Sequence, residues 1–175
     1  MRPPRKLSPE DELYRAALRA LMRRAHSVSE MREALERRAA EKAAVPRVLQ
    51  RLQDEKLLED AHYALQFARY RAESRRQGRY RITRELRKRG VPDCHIEAAL
   101  EEVFATTDEA RLLRKRLERR LGQLRGGLDE RQIALLYRSL VRAGFSTDLI
   151  RAELRKLTKQ DLARVGEGTL AEDDP

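Results

Sequence analysis

The chain has no tryptophan and a single cysteine, Cys94, with three histidines and only 5% aromatic residues in 175. One cysteine excludes an internal disulfide and cannot anchor a thiolate zinc site, so the chain fits a reducing cytoplasm. The lone thiol, one position after a presumed helix cap, reads as inert. No segment shows a convincing period of two, which argues against a sheet. No long apolar run is present, so neither a signal peptide nor a membrane span is expected behind the basic stretch Met1 to Lys6. His26, His62 and His95 are scattered, with no nucleophile and no metal-ligand spacing around them. The glycines at 122, 126 and 127 lack the Lys-Ser/Thr pair of a phosphate-cradling loop. Catalytic residues, metal ligands and cofactors are therefore not expected, nor is an enzyme.

What the chain has in abundance is charge. Lys and Arg number 39 against 29 Asp and Glu, a formal net charge of +10, and charged residues make up 39% of the chain against 41% hydrophobic. Such a surface attracts polyanions or acidic protein faces. The balance implies a thin core with most helix surface in water.

A spaced apolar pattern occurs three times: Leu35, Ala39, Val45, Leu49, Leu52; then Leu86, Gly90, Ile96, Leu100, Val103; then Leu140, Gly144, Ile150, Leu154, Leu157. Recurrence of the same intervals marks a repeat protein whose small units bury their stripes against neighbours. In the later copies a glycine follows the last apolar turn, and Val91-Pro92-Asp93 or Phe145-Ser146-Thr147-Asp148 opens the next helix. The expected fold is all-α: three tandem three-helix repeats forming an elongated, curved, solenoid-like array. Its divisions are a flexible basic arm (1–8), repeats at 9–56, 57–105 and 106–158, and an acidic, disordered tail (159–175).

Local signals place the helices. Pro9 sits at N1 of the first, followed by Glu10, Asp11 and Glu12. Ser27 or Ser29 caps the second, Pro46 lies in the first turn of the third, and Asp108 is an N-cap candidate for the seventh. A longer helix carries Tyr63, Ala64, Phe67, Ala68 and Tyr70 until Gly78 interrupts it.

Between positions 69 and 89 there are ten basic residues, Arg69 and Arg71 followed by Arg75, Arg76, Arg79, Arg81, Arg84, Arg87, Lys88 and Arg89, against only Glu73 and Glu85. A charge run is ordinarily a solvated helix face. Here the i,i+4 acids are mostly missing, leaving self-repulsion uncompensated unless an anion binds. Arginine offers a planar fork for phosphate or carboxylate oxygens. Tyr70 continues the Tyr63 and Phe67 stripe and is expected to bury its ring, whereas Tyr80 could equally stack on a partner. The candidate binding residues are Arg75, Arg76, Arg79, Tyr80, Arg81, Arg84, Arg87, Lys88 and Arg89, with a secondary basic cluster at Arg23, Arg24, Arg37 and Arg38. A third cluster spans Arg111, Arg114, Lys115, Arg116, Arg119 and Arg120.

The segment Leu57-Leu58-Glu59-Asp60-Ala61-His62-Tyr63-Ala64, followed by Gly78-Arg79-Tyr80-Arg81-Ile82 and Glu85-Leu86-Arg87-Lys88-Arg89-Gly90-Val91, resembles RecX regulatory proteins. Ala16 to Arg38 is similar to that family's opening segment and Leu140 to Leu154 to its last, so the resemblance covers about residues 10 to 157. It implies a cytoplasmic modulator of the RecA recombinase that engages RecA filaments on single- or double-stranded DNA and inhibits ATP hydrolysis and strand exchange. An array with polar ends is expected to be a monomer, and no membrane partner is expected. The competing reading is a stand-alone basic helical protein that binds nucleic acid without a protein partner.

Overall fold

The computed structural model describes residues 9–122 and 129–168, which hold nine α-helices and no strand. In chain order these are α1 (Pro9–Leu21), α2 (Val28–Glu36), α3 (Ala44–Asp54), α4 (Asp60–Glu73), α5 (Arg79–Arg87), α6 (Asp93–Thr106), α7 (Glu109–Leu121), α8 (Glu130–Ala143) and α9 (Thr147–Gly168). Among the described residues no helix is long and apolar enough to cross a membrane. The basic arm expected at 1–8 lies outside the described residues. Helix α9 runs through Gly168, so the tail expected to be disordered from 159 begins as helix. Lys159, Gln160, Leu162, Ala163 and Arg164 are good helix formers with no Pro or Gly before Gly166, which allows that continuation.

The repeated apolar positions are the core. Leu35, Val45, Leu49 and Leu52, then Leu86, Ile96, Leu100 and Val103, then Leu140, Ile150 and Leu154, are all buried. The chain falls into two compact units. One reaches to Ala68 and includes Arg84–Glu102; the other comprises Arg69–Thr83 and continues from Val103. Helices α4, α5 and α6 contribute residues to both.

In the first unit α1, α2 and α3 close around Leu13, Ala17, Met31, Leu35, Val48 and Leu52. Helix α2 begins with a reciprocal cap: the Ser27 hydroxyl accepts from the Glu30 amide at 3.1 Å, and Glu30 Oε2 accepts from the Ser27 amide at 3.3 Å. The Ser27 hydroxyl also donates to the Arg89 carbonyl at 2.5 Å, and Asp60 Oδ1 accepts from the Val28 amide at 2.9 Å. The turn that follows α5 closes at Gly90 in left-handed conformation (φ 68°), with the Val91 amide on the Leu86 carbonyl and the Gly90 amide on that of Arg87. A Cβ on Gly90 would lie 2.4 Å from both Cβ and Oγ of Ser29. The α5–α6 corner and the start of α2 thus meet backbone to side chain, with no room for a larger residue.

The second unit repeats the device. Helix α8 opens on a reciprocal cap between Asp129 and Gln132 and ends at Gly144 (φ 90°), with the Phe145 amide on the Leu140 carbonyl. The Ser146 hydroxyl then accepts from the Leu149 amide to start α9. Onto this corner docks the beginning of α5: the Gly78 amide donates to the Ala143 carbonyl at 2.9 Å and the Tyr80 amide to that of Gly144 at 3.1 Å. A Cβ on Gly78 would lie 2.3 Å from the Gly144 oxygen, and one on Gly144 would lie 2.3 Å from the Arg81 nitrogen. Both glycines are required here, by close approach and, at Gly144, by a positive φ as well.

Gly144→Ala should lower unfolding free energy by about 2–4 kcal/mol, because it combines left-handed strain with overlap against backbone. Gly122→Ala, at ordinary φ with its nearest contact at 3.4 Å, should change stability by less than about 1 kcal/mol. Urea unfolding of both variants measures the difference.

Candidate anion-binding interface

Helix α5 turns Ile82 and Leu86 into the core and leaves Tyr80, Arg84 and Arg87 exposed at i, i+4 and i+7, with Lys88 just beyond. The nine candidate residues separate by what they touch.

In the second unit Arg79 is committed internally. Its amide donates to Glu109 Oε1 at 3.1 Å, its Nε lies 3.7 Å from Glu109 Oε2, and its guanidinium covers the Phe104 ring at 4.6 Å. Burial pushes the Glu109 carboxyl above its usual range, opposed by the Arg79 amide and charge. Arg81 donates to the Arg142 carbonyl at 3.2 Å, under the Gly144 corner. Arg75 is exposed over the Tyr70 ring at 5.9 Å. Arg76, in left-handed conformation (φ 49°), and Arg75 both accept through their carbonyls from Arg116 Nη1, at 3.5 and 3.2 Å.

Tyr70 is 51% exposed and Tyr80 68%. The expectation that Tyr70 continues the buried stripe is corrected. The buried face of α4 follows Ala64, Ala68 and Ala72 at i, i+4 and i+8, and Tyr70 projects from the opposite side.

In the first unit Arg87 pairs with Asp93 at 2.7 Å, a hydrogen bond that raises the guanidinium's already high pKa. Arg89 covers the Phe67 ring at 4.7 Å, sits 3.9 Å from Glu30 Oε1 and donates to the Glu85 carbonyl. Arg84 and Lys88 are exposed and make no ion pair among the described residues. Three of the arginines expected to lack counter-ions therefore have them, from Glu109, Asp93 and Glu30. Counting i,i+4 neighbours on one helix cannot see carboxylates supplied from elsewhere in the chain. Arg75, Arg76, Arg84 and Lys88 have no carboxylate within ion-pairing distance among the described residues.

The secondary cluster divides as well. Arg24 is held by Glu30 at 2.9 Å and by the Ala25 carbonyl, and Arg37 lies 4.0 Å from Glu33. Arg23 and Arg38 are exposed and line a cavity that Arg37 does not reach.

Two residues outside the candidate set organise these groups. Glu30, at the third position of the Ser27 cap, receives Arg24, Arg89, the Ser27 amide and the Tyr63 hydroxyl. Burial alone would raise its pKa. The hydrogen bond and charge of Arg24, the Ser27 amide and the Arg89 charge outweigh that and hold it below the usual carboxylate range. The Ser-x-x-Glu spacing was a readable signal for its capping role. Arg116 is half-buried and has no carboxylate among its charged neighbours: burial, then Arg120, Arg119, Arg81 and Arg76, depress its pKa, and its Nε is buried without a hydrogen-bond partner. The i, i+3, i+4 spacing of Arg116, Arg119 and Arg120 places them on one face of α7.

The family model described as the RecX second three-helix domain matches residues 60–100, within the α4–α6 stretch. The chain is 38% identical to the regulatory protein RecX of Halorhodospira halophila over 148 residues, covering 83% of this chain and 88% of that protein. It is 35% identical to that of Trichlorobacter lovleyi over 149 residues, covering 83% and 95%. The crystal structure of RecX from Lactobacillus salivarius superposes with a TM-score of 0.70 at 22% identity, over 86% of this chain and 97% of that one. This last likeness concerns the fold.

A carboxylate whose folded pKa is depressed stabilises the fold above its unfolded value, and that stability is lost as pH falls through the folded value. Glu30→Gln should therefore cost about 1–2 kcal/mol at neutral pH and make the acid limb of the stability curve shallower. Denaturant unfolding across a pH series checks both.

Proposed function

Because the chain belongs to the RecX family of regulatory proteins, we propose that it acts on the RecA recombinase, docking on RecA–DNA filaments and inhibiting ATP hydrolysis and strand exchange. The observation that carries this reading is the set of exposed or half-buried cations without internal carboxylates: Arg84 and Lys88 in one unit, Arg75 and Arg76 in the other. Each guanidinium or ammonium held in water beside like charges gains from an external phosphate or carboxylate, and each phosphate neutralised releases counter-ions. Arg79, Arg87 and Arg89 serve a different role in this account. Their partners fix α5 and its ends, so Arg84 stands on a held helix, with Lys88 in the turn that follows it and Arg75 and Arg76 in the connection that precedes it.

Exposed Tyr80 and Tyr70 favour a second reading, nucleic-acid binding without a protein partner, since a solvent-facing ring next to arginine can stack on an unpaired base. Here DNA affinity alone is tight and RecA adds nothing.

Two assays together separate the two readings. ATP hydrolysis by RecA filaments, measured with increasing amounts of this protein over a salt series, should be inhibited, and less so as salt rises. Replacing Arg75, Arg76, Arg84 and Lys88 together with Glu should abolish inhibition. In direct DNA binding the same variant should reduce the slope of log K against log salt by about 3, if each cation meets one phosphate. Unchanged ATP hydrolysis with tight DNA binding supports the second reading; inhibition retained by the quadruple variant refutes the role of these cations.

A further inference from the structure

The first unit contains a half-enclosed cavity of about 430 Å³ between α1 and α2, within the size range of pockets that take a ligand or anchoring side chain. Its origin is a run of small residues. Ala16 and Ala20 on α1 face Ala34 on α2, over buried Met31 and Leu35, and short side chains on both helices leave the hollow unfilled. The rim has the opposite character. Arg19, Arg23 and Arg38 surround it, all exposed, with Arg24 and His26 completing the wall, and no carboxylate lines it.

Among the rim cations, only Arg24 has an acidic partner among the described residues, Glu30. An apolar floor inside an arginine ring suits a ligand that is itself mixed, an apolar group flanked by negative charge. A nucleic-acid strand supplies the charge, but the one ring in the lining is the half-buried His26 imidazole, held 2.9 Å from the Arg24 carbonyl oxygen, and a phosphate chain gains nothing from an alanine floor. A peptide segment supplies both, through an aliphatic side chain seated in the hollow and Asp or Glu residues on either side reaching the guanidiniums.

We propose that this cavity is the docking site for an acidic peptide segment of a protein partner, anchored by one aliphatic side chain. The inference deepens the functional reading above, on which it rests only for the partner's identity: unpaired cations around α5 meet an anionic assembly, while the α1–α2 cavity takes an acidic stretch of protein. It also gives Arg23 and Arg38 a role distinct from that of Arg37, which pairs with Glu33.

The test uses the full chain and fluorescence anisotropy with three labelled probes: an acidic peptide of Glu and Leu, an all-Glu peptide of equal charge, and oligothymidine. Burying one Leu should make the Glu/Leu peptide bind about tenfold tighter than the all-Glu peptide. Ala34→Leu fills the hollow from a half-exposed helical position that suits leucine, and should erase that tenfold difference while leaving oligothymidine affinity unchanged. Arg19→Glu, Arg23→Glu and Arg38→Glu together should weaken both peptides by tenfold or more.

Equal affinity for the two peptides, absence of peptide binding, or a loss confined to oligothymidine in the arginine variant would each overturn the proposal; so would Ala34→Leu acting only on self-association. The quadruple Glu variant at positions 75, 76, 84 and 88 is the separating control. It should lose inhibition of RecA yet bind the Glu/Leu peptide normally, so failure of the cavity and failure of the recombinase reading give different results.

Discussion

Two helix corners, each made by a glycine in left-handed conformation and each in contact with the start of another helix in its own unit, hold the helices of their units in register. At Gly90 the partner is the capped start of α2, through the Ser27 hydroxyl and the Ser29 side chain; at Gly144 it is the start of α5, through the amides of Gly78 and Tyr80. A thin core with so much charge around it could pack in several neighbouring registers at similar cost. Close approach of backbone to backbone at Gly144 and of backbone to side chain at Gly90, with hydrogen bonds that cannot be shifted by one residue, removes that freedom. Both corners bear on α5, whose first residues dock at Gly144 and whose end forms the Gly90 turn.

That anchoring explains why arginines of one helix and its flanks can have opposite roles. Arg79 and Arg89, both half-buried, set their charge beside Glu109 and Glu30 and their planar faces over Phe104 and Phe67, so they pack as well as pair. Arg84 and Lys88 point into water with nothing to neutralise them among the described residues. Removing Arg79 leaves the half-buried Glu109 carboxylate without its cation, and removing Arg89 uncovers the Phe67 ring while Glu30 keeps Arg24. Removing Arg84 or Lys88 leaves the fold almost as it was and changes only what the surface attracts. A surface of mixed commitments of this kind is stiff where it is paired and available where it is not.

Much of the fold was legible. The threefold apolar pattern marked residues that are nearly all buried, and Gly90, Gly144, Asp108 and Pro46 stand where capping and turn chemistry put them, because these signals are local and strong. The binding surface was legible only as a density of charge. Glu30, Asp93 and Glu109 reach arginines through tertiary structure, and nothing in helical spacing announces them. Tyr70 was misplaced because an aromatic residue outweighs alanine in a reading by hydrophobicity, whereas close helix packing selected the alanines at 64, 68 and 72. The cavity between α1 and α2 was hidden for the same reason: alanines read as a weak apolar stripe, and only their juxtaposition across two helices shows a hollow.

The central claim is that the start of α5 is locked to the Gly144 corner of the second unit. Native-state amide hydrogen exchange tests it at two sites, the Gly78 and Tyr80 amides, which donate to the Ala143 and Gly144 carbonyls. The account predicts that both exchange as slowly as the Leu140 amide inside α8, through the same opening of the second unit. Exchange of Gly78 and Tyr80 at the rate of a solvent-exposed loop, with Leu140 still protected, would contradict it.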